Sequence, residues 1–140
     1  MTAEQIFQFV STLVLPGWLL LVVAPRWRFT QPVAAVGLPL VLAVAYAVLL
    51  GQHWGEGDGG FGSLADVAKL FANPNVLLAG WIHYLAFDLF TGAWEVRDSL
   101  KHGVPHWLVV PCLLLTFLFG PVGWLLYFGV RYGMRRVWMV

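Results

Sequence analysis

The sequence predicts an all-α membrane protein in which four transmembrane helices form a small bundle. Hydrophobic residues make up 60% of the 140-residue chain and charged residues only 11%, whereas a typical soluble domain has about 25% charged residues. The apolar residues also come in long runs rather than in amphipathic stripes, which indicates that lipid is the solvent. The length fits a single domain over residues 1–140.

The composition gives no support for nucleic-acid binding or for an internal disulfide. The formal net charge of +1 gives no argument for binding nucleic acid. With Cys112 as the only cysteine, an internal disulfide is excluded. The expected partner is therefore the lipid bilayer, together with a hydrophobic ligand, and a homo-oligomer is left open.

Four apolar runs predict spans at about 6–24, 32–51, 76–94 and 107–130. The first run is interpreted as a retained span rather than a signal peptide, because Glu4 precedes it and no small-residue cleavage site follows. The link between the first two spans is short, which predicts an antiparallel helical hairpin. Tryptophans lie near the predicted span ends, as in an aromatic belt, at positions 27, 54, 94, 107 and 138.

Residues 63–73 are predicted to form a short interfacial helix between the second and third spans. Ser63 and Asp66 have the spacing of a helix-capping pair, and a polar, glycine-rich loop over 52–60 precedes them. The helix is too short to span a bilayer, but it has one apolar face, which is typical of a helix lying on the membrane surface.

The positive-inside rule does not choose an orientation for four spans. Both chain ends and the central loop would then share one side, and each side would carry four Lys or Arg residues. The basic cluster near the C-terminus favours a cytoplasmic or stromal C-terminus. The expected location is a bacterial inner membrane, because the chain starts directly at its first span, or a plastid membrane for a plant protein.

The third predicted span carries ionisable groups inside an apolar run. An Asp at the centre of a membrane helix costs about 2.5–3.5 kcal/mol, so Asp88 indicates a role. Tyr84, Asp88, Thr91 and Glu95 form one helical stripe, and Asp98 and His102 extend it if the helix continues. His83 lies about 140° away, at about 100° per residue, on a stripe that also holds Phe87, Phe90 and Trp94.

Several structural interpretations remain open for these groups. In one of them, Asp88 has only a structural role and pairs with Thr116 or with a backbone group freed by Pro111 or Pro121. The alternative for Glu95, Arg97, Asp98 and Lys101 is a solvated loop face, and His106 is a candidate partner for Glu95 or Asp98. A metal site is a further alternative, since ligand-type side chains have helix-compatible spacing at Glu95, Asp98, His102 and His106.

Two motifs in the second half of the chain carry a family resemblance. Segment 80–94 reads GWIHYLAFDLFTGAW, and segment 111–121 reads PCLLLTFLFGP, after Pro105-His106. Together with Pro25-Arg26-Trp27, they resemble the plant neoxanthin synthase family (abscisic-acid-deficient-four), which also has uncharacterised bacterial members. The similarity covers most of the chain.

This resemblance implies a membrane protein of carotenoid metabolism. The plant reaction opens a 5,6-epoxide of violaxanthin to a tertiary alcohol and removes the C7 proton to give an allene. That isomerisation needs an acid and a base but no redox cofactor. Burial favours the protonated form of Asp88, which suits it as the acid, while a neutral His83 suits the base.

The predicted site is the third span and the cleft beside it. The candidate catalytic residues are His83, Tyr84, Asp88 and Glu95. The candidate substrate-binding residues are Trp81, Phe87, Trp94, His106 and Thr116. The alternative function is a non-catalytic holder of a carotenoid, retinal or another lipid, with a haem protein that uses His83 as an axial ligand as a weaker option. No cofactor is required, although a bound carotenoid is expected.

Overall fold

A computed structural model describes residues 1–53, 55–56 and 59–136, and every regular element in those ranges is helical. The α-helices are α1 (Ala3–Leu13), α2 (Leu15–Val23), α3 (Leu38–His53), α4 (Leu64–Phe71), α5 (Pro74–His102), α6 (His106–Phe119) and α7 (Pro121–Arg135). A π-helical segment, Pro32–Gly37, leads directly into α3. Trp54 and Trp138, predicted to mark span ends, lie outside the described residues.

Three helical stretches of the described chain are long and apolar enough to cross a membrane. They are Ala3–Val23, Pro32–His53 and Pro74–His102. They match the first three predicted spans, but α5 continues past Trp94 to His102 and is 29 residues long. The chain is therefore an all-helical protein of the membrane type.

The predicted fourth span, 107–130, is wrong as a single helix. The first helix of this segment ends before Gly120, and Pro121 begins α7. Gly120 has a φ of +35°, a left-handed conformation that glycine adopts without a Cβ clash. α6 has 14 residues, which corresponds to about 21 Å at 1.5 Å per residue. That length is shorter than the hydrocarbon core of about 30 Å.

α6 and α7 form an antiparallel helical hairpin against α5. A side chain at Gly123 would overlap Thr116 and the carbonyl group of Cys112, so α7 packs closely on α6. α6 starts just after α5 ends, and Arg131 near the end of α7 bonds to Asp98 on α5. Both open ends of the hairpin therefore lie at the C-terminal end of α5.

The tip of this hairpin lies beside the middle of α5. A Cβ atom placed on Gly120 would be 2.6 Å from Oδ1 of Asp88, and Asp88 is the central residue of the 29-residue helix. The hairpin thus covers only the C-terminal half of α5. Alongside the N-terminal half of α5, it is α1 that faces Trp81 and Tyr84.

The first two helical stretches pack against α5 and run in opposite directions. The α1–α2 stretch runs parallel to α5, since Phe7 packs on Trp81 at the start and His106 bonds to Val22 at the end. α3 runs antiparallel, with the Gln31 amide near its start donating to the Ala93 carbonyl at 2.9 Å. α5 is consequently the central helix of the bundle.

α4 has the local structure predicted for the interfacial helix. The Ser63 hydroxyl accepts a hydrogen bond from the Asp66 amide at 3.1 Å and donates one to its carboxylate at 2.7 Å. None of the α4 residues is buried, and Phe71 at its end packs on Gly80 of α5. The predicted loop over 52–60 begins later than expected, because α3 continues to His53.

Candidate functional site

Asp88 lies at the tip of the α6–α7 hairpin. Its side chain is partly exposed, but its Oδ2 atom is buried and has no hydrogen-bond partner among the described residues. A buried polar atom without a partner costs free energy, and it is the kind of atom that a bound ligand satisfies. Asp88 is therefore the first candidate for contact with a ligand.

Tyr84 lies one turn before Asp88 on the same face of α5, as the stripe predicted. Its hydroxyl group donates to the carbonyl oxygens of Phe117 and Leu118, at 3.1 and 3.0 Å. Pro121 has no N–H group, so it cannot bond to the Phe117 carbonyl one turn earlier. Tyr84 satisfies this freed carbonyl, which the sequence analysis had offered to Asp88, and so ties the hairpin tip to α5.

Glu95 is wholly buried rather than solvated. The Thr116 hydroxyl of α6 donates to its Oε1 atom at 2.8 Å, while its Oε2 atom is buried without a partner in the described chain. The predicted pairing of Thr116 with Asp88 is therefore wrong, because Thr116 lies deeper in the hairpin, opposite Glu95. Glu95 contacts helix atoms on all sides and is closed to a large substrate.

Asp98 is the centre of a buried polar cluster between α5 and α7. The Arg131 guanidinium bonds to both carboxylate oxygens at 2.9 and 2.8 Å, and the Tyr127 hydroxyl donates at 2.6 Å. Arg131 is fully buried, with its guanidinium 4.6 Å from the centre of the Phe128 ring. The predicted solvated loop face is therefore wrong at Asp98 as well as at Glu95.

The four residues of the alternative metal site do not converge. The Asp98 carboxylate is occupied by Arg131 and Tyr127, and the His106 ring donates to the Val22 carbonyl at 2.8 Å instead of reaching Glu95 or Asp98. His102 stays near Asp98, with 3.2 Å between its Nδ1 atom and the carboxylate. No group of three or more metal-ligating side chains forms within residues 1–53, 55–56 and 59–136.

His83 faces away from Asp88, as the angle of about 140° predicted. It is exposed and packs on Phe87, with ring centres 4.7 Å apart, and on Tyr46 of α3 at 5.7 Å. The two groups therefore lie on opposite sides of α5 and do not meet at one small functional group.

Two cavities flank the N-terminal half of α5. One has a volume of about 660 Å³ and lies between α1 and α5, with Phe7, Trp81 and Tyr84 in its wall. The other, of about 470 Å³, is bounded by α3, α4 and α5, with Tyr46 and His83 in its wall. We call them the Tyr84 cavity and the His83 cavity.

The candidate substrate-binding residues divide among different places. Trp81 lines the Tyr84 cavity and donates to the Ser11 hydroxyl at 3.0 Å. Phe87 is 59% exposed on the His83 side of α5, whereas Trp94 stacks on Phe128 of α7 at 5.6 Å. Thr116 bonds to Glu95, and His106 bonds to the Val22 carbonyl. Of this set, only Trp81 lines the Tyr84 cavity.

Tyr127 and Arg131, the partners of Asp98, were not predicted from the sequence. Gly123, Tyr127 and Arg131 are four residues apart in turn, and all three are buried on one face of α7. This spacing was a visible signal for a helix face that turns inwards. It was overlooked because Arg131 was assigned to the end of a span.

The tight contact at the hairpin tip makes a stability prediction. Replacing Gly120 with alanine is expected to lower the free energy of unfolding by about 1–3 kcal/mol, because it strains the backbone and presses on Asp88. Gly129→Ala on α7 is the matched control, since a Cβ there meets nothing within 4 Å. Titration with a denaturing detergent measures both variants, and equal stability of the two would contradict the tip geometry.

The fold and the polar groups define a helical membrane protein with carboxyl groups set along one central helix. The family model described as ABA DEFICIENT 4-like matches residues 5–127. The chain is also 31% identical over 130 residues to "Protein ABA DEFICIENT 4, chloroplastic" of Arabidopsis thaliana, covering 86% of this chain and 58% of that protein. No solved structure matches the chain. The chain belongs to the ABA DEFICIENT 4-like family, as the motifs of segments 80–94 and 111–121 predicted.

Proposed function

We propose that this chain is a membrane-embedded isomerase that opens the 5,6-epoxide of a carotenoid. The observation that carries the proposal is the Oδ2 atom of Asp88, buried without a partner at the hairpin tip. The similarity to the chloroplast protein supports a carotenoid-related role. The chain spans only 58% of that relative's length. The reaction and the substrate are therefore proposed for this chain and are not carried over from the relative.

The Tyr84 cavity suits the ring end of a carotenoid. Its volume of about 660 Å³ is within the range of small-molecule sites. Its wall is mostly apolar, with aromatic side chains from Phe7 and Trp81, and it leads along α5 to Tyr84, one turn below Asp88. The polyene would extend from the ring along the apolar helix surfaces into lipid.

The separation of His83 from Asp88 leads to a simpler scheme with one carboxyl group. In the proposed step, the protonated carboxyl group of Asp88 gives its proton to the epoxide oxygen as the C–O bond at C6 breaks. Its other oxygen takes the proton from C7, and the electrons of that C–H bond form the new C6=C7 double bond. The carboxyl group is regenerated, the product is an isomer, and no oxidant or reductant is used.

Glu95 is given a supporting role in this scheme. It lies two turns beyond Asp88 on the same stripe, and it is held by Thr116 in the hairpin. There it fixes α6 against α5 and so holds Gly120 against Asp88. Trp94 acts in the same way by stacking on α7.

The one-carboxyl scheme predicts that His83 is dispensable for the chemical step. His83→Phe keeps an aromatic ring against Phe87 and Tyr46, so we expect conversion of the epoxide within a few-fold of wild type. The measurement is product formation per bound carotenoid in liposomes. Loss of conversion with binding retained would return the role of base to His83.

A second candidate function is non-catalytic storage of a carotenoid, retinal or another lipid. The observation favouring it is that the Tyr84 cavity is open to the protein surface and has a mostly apolar wall. We propose an integral membrane location for either function, in a bacterial inner membrane or a plastid membrane. α4 would lie at the membrane surface, and a second copy of the chain would extend the binding surface for a long polyene.

Incubation with violaxanthin in liposomes, followed by chromatography, separates the two functions. An isomerase gives a new allenic product of unchanged mass. A storage protein gives a structured carotenoid absorption band and returns the carotenoid unchanged.

A further inference from the structure

The helix directions place nearly all of the basic residues at one end of the bundle. This basic end comprises the turn between α2 and α3, the end of α5 and the end of α7. It holds seven of the eight Lys and Arg residues, namely Arg26, Arg28, Arg97, Lys101, Arg131, Arg135 and Arg136. The opposite end holds Lys69 together with Glu4, Glu56 and Asp66.

We propose that α6 and α7 enter and leave the bilayer on the same side, and that the basic end contacts the anionic headgroups of the cytoplasmic or stromal leaflet. The chain then crosses the membrane three times, and Thr2 and Arg136 lie on opposite sides. The tie of four against four basic residues becomes seven against one, which the positive-inside rule decides clearly.

Contacts at the open end of the hairpin fix the side on which the chain finishes. Arg131 bonds to Asp98, and the Arg135 guanidinium donates to the Gly103 carbonyl at 2.6 Å. Both partners lie at the C-terminal end of α5, where α6 also begins. A C-terminus on the other side would have to break both contacts.

Several freed backbone groups at the hairpin tip have partners within the protein, as a turn at membrane depth requires. Tyr84 supplies a donor for the carbonyls of Phe117 and Leu118, and Gly120 donates its amide to the Thr116 carbonyl at 2.9 Å. α6 is about 21 Å long, so in this topology it ends near the middle of the bilayer, beside the central residue of α5.

The charged side chains of the basic end are accessible to lipid headgroups. Arg26, Arg28, Arg97, Lys101 and Arg135 are all exposed, whereas Arg131 is buried on Asp98. Trp27 and Trp107, 52% and 72% exposed, lie at the same end and suit the membrane interface. Clusters of Lys and Arg beside membrane helices attract anionic lipids.

Labelling of single cysteines tests the topology. In a Cys112→Ala background, Thr2→Cys and Arg136→Cys are treated with a membrane-impermeant maleimide in intact cells and in inverted membrane vesicles. We expect Thr2→Cys to react in intact cells and Arg136→Cys to react in inverted vesicles. Reaction of both positions from the same side would overturn the three-crossing topology, and the reverse pattern would overturn the orientation.

Vesicle composition tests the headgroup contact. We expect the thermal midpoint of the chain to be higher in vesicles that contain anionic phosphatidylglycerol, which attracts basic clusters, than in pure phosphatidylcholine. The triple variant Arg26→Gln, Arg28→Gln, Lys101→Gln should lose this difference, while Lys69→Gln at the opposite end should keep it. An equal loss in both variants, or no difference for the unmodified chain, would overturn the contact.

Discussion

Replacing Arg131 with methionine is expected to lower the free energy of unfolding by about 3–5 kcal/mol. The change removes the cation from a buried carboxylate, because Arg131 is fully buried and Asp98 is only 5% exposed. The Tyr127 hydroxyl would remain on Asp98, but a neutral donor does not balance a buried charge. Titration with a denaturing detergent, followed by far-UV circular dichroism, measures the loss.

Two further variants make this test specific to the ion pair. Arg97→Met removes an exposed cation from α5 and should change stability by no more than about 0.5 kcal/mol. The double variant Arg131→Met, Asp98→Leu removes both charges and should be more stable than Arg131→Met alone, because no unpaired charge remains. A double variant that is less stable than both single variants would contradict the pairing.

Asp88→Asn is expected to lower the rate of epoxide isomerisation by about 10²–10⁴-fold, which is the usual contribution of a positioned acid or base. The amide has nearly the same shape as the carboxyl group, so it keeps the contact with Gly120 and the bound ring. It cannot give up a proton to the epoxide oxygen or accept one from C7. The measurement is product formation per bound carotenoid in liposomes.

The controls for Asp88 are a carboxyl group outside the proposed site and the binding step. Asp66→Asn on α4 changes an exposed carboxyl group that is capped by Ser63, and it should leave the rate unchanged. The carotenoid absorption band should be present in both variants. Full turnover by Asp88→Asn would remove the proposed acid and leave the storage function as the better account.

The long apolar runs allowed the three helices that are long and apolar enough to cross a membrane to be predicted, because about 20 consecutive apolar residues in lipid form a helix. The faces of α5 were also predictable, since a period of about 100° per residue fixes which side chains share a side. Tyr84 and Asp88 lie on one face and His83 on another, as expected.

The end of α5 was misjudged because its charges have partners far along the chain. Glu95 and Asp98 look solvated in the sequence, but Thr116 and Arg131, 21 and 33 residues away, bury them. Local sequence patterns do not reveal pairings over such distances. The buried face of α7 was the only local hint.

A glycine and a proline inside an apolar run are compatible with a bend, but at Gly120-Pro121 the structure shows a reversal of direction. Both readings share the same sequence signal, because proline and glycine interrupt a helix in either case. The reversal depends on tertiary contacts, namely the close packing of Gly123 on α6 and the bonds from Tyr84 to the tip. The proposed number of crossings, and with it the proposed charge asymmetry, therefore rests on the structure of this hairpin.

The most direct measurement of the central claim compares two carotenoids on the wild-type chain in the same liposomes. Violaxanthin carries 5,6-epoxides at its rings, and zeaxanthin has the same polyene and ring hydroxyls without them. Both should bind, and only violaxanthin should give an allenic isomer of unchanged mass on chromatography. Binding of both carotenoids with no change in either would contradict an isomerase at Asp88.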